Sequence, residues 1–206
     1  MNDGHTLDKD SIRAAYDADV ERRDAMVPAK WRTDIVDTFL ARLPDGARVL
    51  ELGCGTGQLA RHVADAGFSV SAIDLSPGNI AAATARGVDA RVADFSDLPF
   101  EDNSFDAAFA VQSLIHVPKG DLPDVHREIR RILTDGSILL SVTWGGESHE
   151  GPVEDEWLDP PRYFAFHTDE ELLEIERPGF DVVDLSIVIA TEHGAMRAQA
   201  LTLEAS

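Results

Sequence analysis

The chain has 206 residues, of which 38 are acidic and 18 basic, for a formal net charge of −20. That length allows one domain whose core needs no staple, and a hydrophobic share of 44% with 27% charged residues excludes a disordered chain. The single cysteine, Cys54, excludes an internal disulfide and a multi-cysteine metal site, and the acidity argues against a nucleic-acid partner, whose phosphates need basic neutralisation. No apolar run approaches the roughly 18 residues of a membrane span, so no membrane partner is expected. The polar, acidic start reads as no secretory signal, so a cytoplasmic protein is expected. Twenty-four aspartates against three lysines, Lys9, Lys30 and Lys119, suit a halophilic cytoplasm, where a Debye length of about 3 Å screens carboxylate repulsion. An acidic protein of ordinary cytoplasm is the alternative.

Residues 11–43 read as two helices broken near Pro28, the second carrying Trp31, Ile35, Val36, Phe39, Leu40 and Leu43 at helical spacing. After the turn Pro44-Asp45-Gly46, short apolar runs alternate with helical patterns. Arg48–Leu52 is a strand, Thr56–Ala66 a helix ended by Gly67, and Ser69–Leu75 a second strand. Ser76-Pro77 starts a helix running to Arg86-Gly87, and Asp89–Ala93 is a third strand. Beyond the turn-rich Ser96–Ser104 come a strand at Phe105–Gln112, a helix over about Leu122–Leu133 and a strand at Ser137–Thr143. Thr168-Asp169-Glu170-Glu171 has capping-box spacing and opens a last helix stopped by Pro178-Gly179. Val182–Ala190 and Met196–Leu203 close the chain as an antiparallel hairpin turning at His193-Gly194. The alternation predicts an α/β fold: a doubly wound, mostly parallel sheet with helices on both faces and one antiparallel strand from the hairpin. It divides as a helical cap over 1–43, a core over 44–144, a connection that could act as a lid over 145–167, and a closing helix and hairpin over 168–206.

The first strand ends in Glu51-Leu52-Gly53-Cys54-Gly55-Thr56-Gly57 and runs straight into a helix. Such glycines let the chain turn tightly and a ligand lie against it, and the helix start offers free N–H groups. The second strand ends at Asp74, placed to accept ribose hydroxyls. The third ends in Ala93-Asp94-Phe95, an acceptor beside an aromatic face, as an adenine requires. Three ligand-like tips on successive strands outweigh the bland reading of turn glycines and surface aspartates, because strand carboxyl ends line the crevice of open α/β sheets. The spacing is G-x-G-x-G, with Gln58 following, not the G-x-G-x-x-G of dinucleotide enzymes.

At these residues the chain resembles the class I S-adenosylmethionine-dependent methyltransferases, in their small-molecule branch. Glu51–Gly57 looks like the first motif of that family, Asp74 like its ribose acid, and Val92-Ala93-Asp94-Phe95 like its adenine-contacting segment. Leu98–Asp106 followed by Gln112–Val117 resembles the stretch around its fourth strand, and the likeness covers about residues 45–145. The resemblance implies a seven-stranded Rossmann-like sheet with the last strand antiparallel, and S-adenosyl-L-methionine as cofactor. It implies that Gly53, Cys54, Gly55 and Gly57 pass under the cofactor's amino-acid part, with Glu51 toward its ammonium. Asp74 and Leu75 would meet the ribose and adenine, Asp94 and Phe95 the adenine, and Gln112 and Ser113 the region of the sulfonium. Tyr16 either closes over the cofactor from the N-terminal helix or packs that helix.

Methyl transfer from a sulfonium needs alignment and water exclusion, and a general base only if the acceptor holds a proton it cannot lose alone. His116, after the fourth strand, is a candidate catalytic base or a packing histidine; His149 and His167 are weaker candidates. Residues 145–167 carry Trp157, Tyr163, Phe164 and Phe166 and read either as a lid bordering an acceptor pocket or as an acidic surface loop. The expected protein is a metal-free methyltransferase acting on a small molecule. A non-catalytic nucleoside-binding sensor is the rival, and a dinucleotide-dependent oxidoreductase a more distant one.

Overall fold

The computed structural model describes residues 9–153, 158–190 and 196–206. Its elements in chain order are helices α1 (Lys9–Ala18), α2 (Val20–Asp24) and α3 (Lys30–Leu40), strand β1 (Arg48–Leu52), α4 (Gln58–Asp65), β2 (Ser69–Asp74), α5 (Pro77–Ala85), β3 (Asp89–Val92) and β4 (Phe105–Val111). A 3-10 turn at Leu114–His116 leads to α6 (Leu122–Ile132), β5 (Leu133–Trp144), β6 (His149–Gly151), β7 (Phe164–Phe166), α7 (Asp169–Glu174), β8 (Phe180–Ala190) and β9 (Met196–Ala205). The main sheet has seven strands in the order β3-β2-β1-β4-β5-β9-β8, and β9 runs antiparallel to both neighbours. The expected doubly wound sheet is therefore present. Among the described residues no helix is long and apolar enough to cross a membrane.

Strand alternation divides the core between the two faces of the sheet. Leu50, Leu52, Ala108 and Ala110 pack with α6 residues Val125, Ile129 and Ile132 on one side. Val49, Ala107 and Phe109 pack with Val36, Phe39 and Leu40 of α3 on the other, so the apolar stripe read on α3 is its buried face. Being between Leu50 and Leu52, Glu51 is turned to the opposite face of the sheet, where the nearby Ala60 backbone N–H of α4 works against the effect of burial on its pKa.

Several boundaries differ from expectation for local reasons. The N-terminal segment holds three helices, because a break at Asp19 separates α1 from α2; this buried carboxylate receives Arg22 at 2.6 Å and Arg23 at 2.9 Å. Helix α4 starts at Gln58, since Gly57 has the left-handed φ of 79° and stands outside it. Strand β5 starts four residues early, its pairing with β4 shifting between Leu133 and Ile138 around Gly136, at φ 73°. The Thr168 capping box is formed, but α7 ends at Glu174, before the proline. Arg177 ends it by donating to the carbonyls of Leu172, Leu173 and Ile175. Within 145–167, where no strand was expected, β6 and β7 form a short antiparallel ladder. Trp157 and the His193-Gly194 turn lie outside the described residues.

Two histidines in this part of the core carry a pH dependence. His126 is buried against Phe180, and burial, with the Arg177 charge second, lowers its pKa from 6.5 to about 3. Burial, with Lys119 second, lowers His167 to about 4. Between pH 6.5 and 3 the unfolded His126 binds a proton that the folded one refuses, so stability falls as pH drops through that window. The variant His126→Gln is expected to lose less melting temperature than the parent between pH 7 and 4. Equal losses would place the acid sensitivity on other groups.

Candidate active site

The carboxyl ends of β1, β2 and β4 open into a cavity of about 940 Å³. Its roof comes from Ile12 and Tyr16 of α1, Arg22 and Arg23 of α2, Trp31 and Arg32 of α3, and Arg162, Phe164 and Phe166 of the β6–β7 segment. Of the residues read from the sequence, Glu51, Gly53, Cys54, Gly55, Asp74, Leu75, Asp94, Phe95, Gln112, Ser113 and His116 all line it. Gly57 does not. A Cβ there would lie 2.7 Å from the Ala83 Cβ, so Gly57 permits α4 to pack on α5 behind the loop.

The glycine loop brings strand tips together. Gly53, at φ 75°, would place a Cβ 2.3 Å from the Ser113 Cβ, so its bare backbone admits the end of β4. The Ser113 hydroxyl donates to the Leu52 carbonyl at 2.5 Å and ties that end to β1. Gly55, at φ 52°, has nothing within 4 Å of the position of a Cβ and presents an open backbone to the cavity. Gln112, at φ 60°, is held by its N–H to the Val142 carbonyl at 2.7 Å, while its side-chain oxygen accepts from Arg32. The Cys54 thiol is buried and donates to the Gly55 carbonyl at 3.4 Å, and burial pushes its pKa up, which removes it as a nucleophile.

A buried carboxylate, Glu51, and a half-buried one, Asp74, lie in the floor. Burial raises Glu51 well above the carboxylate range, with the nearby Asp74 charge adding to the effect, and Glu51 Oε2 has no hydrogen-bond partner among the described residues. Asp74 is also raised by burial, although it accepts from the Gly55 N–H at 2.8 Å, the Ser76 N–H at 2.9 Å and Asn79 Nδ2 at 3.2 Å. A carboxylate has about four acceptor sites, so one remains and Asp74 holds the loop as much as any ligand. Asp94 caps the Ser96 N–H at 2.9 Å and pairs with Lys9 at 2.7 Å; burial alone would raise it, but these partners bring it below the usual range. An orphaned, buried carboxylate oxygen beside an open glycine backbone fits a ligand bringing a cationic or hydroxyl donor.

Opposite this floor, His116 is held from both sides. Its Nδ1 is 2.7 Å from the Tyr163 carbonyl and its Nε2 is 2.6 Å from the Tyr16 hydroxyl, with Phe164 at 5.0 Å between ring centroids. Arg162 donates to the Tyr16 hydroxyl at 3.2 Å, and the Arg23 guanidinium lies 4.5 Å over the Tyr16 ring. Phe164 and Phe166 border the cavity as expected, but the Tyr163 side chain turns to Glu150 at 2.5 Å and contributes only its carbonyl. His149 bonds the Gly151 carbonyl and His167 is buried, and neither lines the cavity. The arginines 23, 32 and 162 were not legible as site residues, because nothing local distinguishes them from other surface arginines.

The methyltransferase-domain family matches residues 50–141. Sterol methyltransferase-like 3 of Botryococcus braunii is 34% identical over 124 residues, which is 56% of this chain and 30% of that protein. The chain thus matches about a third of the length of such curated relatives. The [4+2]-cyclase SpnF superposes with a TM-score of 0.68 at 27% identity, over 88% of this chain and 84% of that one. The 1,6-didemethyltoxoflavin-N1-methyltransferase of Burkholderia thailandensis, solved with S-adenosylhomocysteine and 1,6-didemethyltoxoflavin, superposes with a TM-score of 0.73 at 18% identity, over 96% of this chain and 88% of that one.

The closeness of Gly53 to Ser113 gives a direct test of the site's construction. Gly53→Ala is expected to destabilise the protein by about 1–3 kcal/mol through overpacking, read by denaturant unfolding. Adding Ser113→Gly should recover part of that loss; a strictly additive pair would mean the two strand tips do not press on each other.

Proposed function

We propose that this chain, whose residues 50–141 match the methyltransferase-domain family, is a class I S-adenosylmethionine-dependent methyltransferase that transfers a methyl group to a small-molecule acceptor by in-line displacement. The observation that carries this reading is one cavity with two unlike halves: a floor of glycine backbone and carboxylates, and a roof of aromatic, imidazole and guanidinium groups. S-adenosylmethionine, when bound, supplies an activated methyl group. In this reading Glu51 Oε2 receives the ammonium and the remaining acceptor site of Asp74 one ribose hydroxyl. Leu75 and Phe95 flank the adenine, Asp94 takes its amine, and Gly53, Cys54 and Gly55 pass under the amino-acid part. Gln112 and Ser113 border the reacting centre, and α1–α3 with the segment 145–167 form a cap that excludes water.

The acceptor in this reading is a small molecule and not a nucleic acid, in keeping with the net charge of −20 and a cavity of about 940 Å³. A cytoplasmic, high-salt setting is part of the same proposal and rests on composition. The fold likeness to a cyclase keeps a second chemistry in view; release of S-adenosylhomocysteine on incubation with S-adenosylmethionine and a metabolite extract decides between them.

Two outcomes are expected. Glu51→Gln removes the charge but keeps the shape, so affinity for S-adenosylhomocysteine should fall by about 1.5–3 kcal/mol in calorimetry. The same change should raise the melting temperature of the free protein. A buried carboxyl with raised pKa loses stability as pH climbs above its ordinary 4.5, so the variant's advantage should grow toward alkaline pH. Unchanged affinity would remove Glu51 from the cofactor site. Separately, the melting temperature of the parent should rise as KCl increases from low to molar concentration; a flat series would sink the high-salt assignment.

A further inference from the structure

The proton on the Tyr16–His116 pair has a defined position. The Tyr163 carbonyl only accepts, so His116 Nδ1 carries a hydrogen. In the neutral ring Nε2 is then an acceptor, and the Tyr16 hydroxyl, its oxygen 2.6 Å away, donates to it. The Tyr16 oxygen has two acceptor sites, and Arg162 Nη1 at 3.2 Å takes one. The other is available on a hydroxyl that lines the cavity. His116 is thus screened from a ligand by Tyr16 along its basic nitrogen.

We propose that Tyr16 is the group that takes the acceptor's proton, with His116 behind it as the final base, and that the acceptor is a molecule bearing a weakly acidic hydroxyl, above all a phenol. This rests on the methyl-transfer reading above. As the acceptor oxygen bonds to the methyl carbon, the methyl–sulfur bond breaks and sulfur keeps its electron pair. The acceptor's proton passes to Tyr16 Oη, and the Tyr16 proton passes to His116 Nε2. The positive charge lost from the sulfonium reappears on the imidazolium, with Nδ1–H still on the Tyr163 carbonyl.

The surrounding charges favour oxygen over an alkene carbon. Methylating an alkene leaves a carbocation, which wants aromatic faces free of cations. Here the Arg23 guanidinium lies 4.5 Å over the Tyr16 ring, and Arg162 lies 5.5 Å from that ring and 5.0 Å from Phe164. The same guanidinium groups stabilise negative charge developing on an attacking oxygen. With these ring faces occupied by guanidinium groups, Arg23 itself paired with Asp19, the roof suits a hydroxyl oxygen better than a carbocation.

The first test uses the ligand-free protein. In histidine-labelled chain, nitrogen NMR should show His116 (assigned by its loss in His116→Asn) as the Nδ1–H tautomer, with its Nε2 resonance moving in Tyr16→Phe. An Nε2–H tautomer overturns the relay. The second uses labelled S-adenosylmethionine with substituted phenols of graded acidity. The parent should methylate them, and Tyr16→Phe should lower kcat by about 100-fold on weakly acidic phenols. On a nitrophenol already ionised at the assay pH the loss should shrink to a few-fold, with S-adenosylhomocysteine affinity unchanged within threefold. His116→Asn should show the same pattern, and the double variant little further loss, as for groups acting as one unit. An equal loss on every phenol overturns the proton-transfer role. No transfer to any phenol by a parent that binds S-adenosylhomocysteine overturns the hydroxyl class, whereas a parent that fails to bind it fails the underlying reading instead.

Discussion

The bond between the glycine-loop amides and the end of β2 is the constraint on which the cavity depends. The N–H groups of Gly53 and Cys54 donate to the Ile73 carbonyl at 2.8 and 2.9 Å, and the Gly55 N–H donates to the Asp74 carboxylate at 2.8 Å. These bonds bind the tip of β1 to the tip of β2. On the other flank, the missing Cβ of Gly53 lets Ser113 reach the Leu52 carbonyl and draws in the tip of β4. A shift of the loop would strip the half-buried Asp74 carboxylate of a donor and separate three strand ends at once. The rigidity of the floor follows from that shared dependence, and it leaves Gly55 as the open backbone over which a ligand can lie.

Much of the frame was legible because its signals are local. The glycine spacing, the acid at Asp74 and the Asp94-Phe95 pair each belong to a few consecutive residues, and the structure places all of them except Gly57 around one cavity. The stripe of Val36, Phe39 and Leu40 and the capping box at Thr168 are also short-range patterns and correspond to a buried face and a formed cap. What escaped depends on distance. Tyr16 and His116 are a hundred positions apart, and their hydrogen bond exists only because α1 folds over the end of β4. The Arg177 stop on α7 is a tertiary use of an unremarkable arginine, and the three-residue strands β6 and β7 are too short to carry an alternation. Gly57 was legible as a glycine that must be glycine, but its reason is the Ala83 contact and not the cavity.

The two halves of the site balance charge in opposite senses. On the floor, burial raises Glu51 and Asp74, and backbone amides from Ala60, Gly55 and Ser76 offset part of that effect. On the roof, Arg23 and Arg162 crowd the Tyr16 ring while His116 accepts its hydroxyl. Among the described residues Glu51 Oε2 has no hydrogen-bond partner, and leaving a buried carboxyl oxygen unpaired costs stability.

The insertion of β9 between β5 and β8 has a consequence for how the molecule comes into being. Leu139 of β5 pairs with Leu203 of β9, 203 − 139 = 64 positions later in the chain, and β9 follows every other described element. During synthesis from the N-terminal end, β4 finds its neighbours β1 and β5 well before β9 emerges. Until then the outer edge of β5 is an unpaired template, and the long-range closure that covers it is intrinsically slow. Gln112, fixed to the Val142 carbonyl on that same strand, links the cavity floor to the last pairing event. The cavity floor is therefore complete before the sheet is, and until β9 pairs, the open edge of β5 makes the nascent chain a target for chaperones even though most of its sheet has formed.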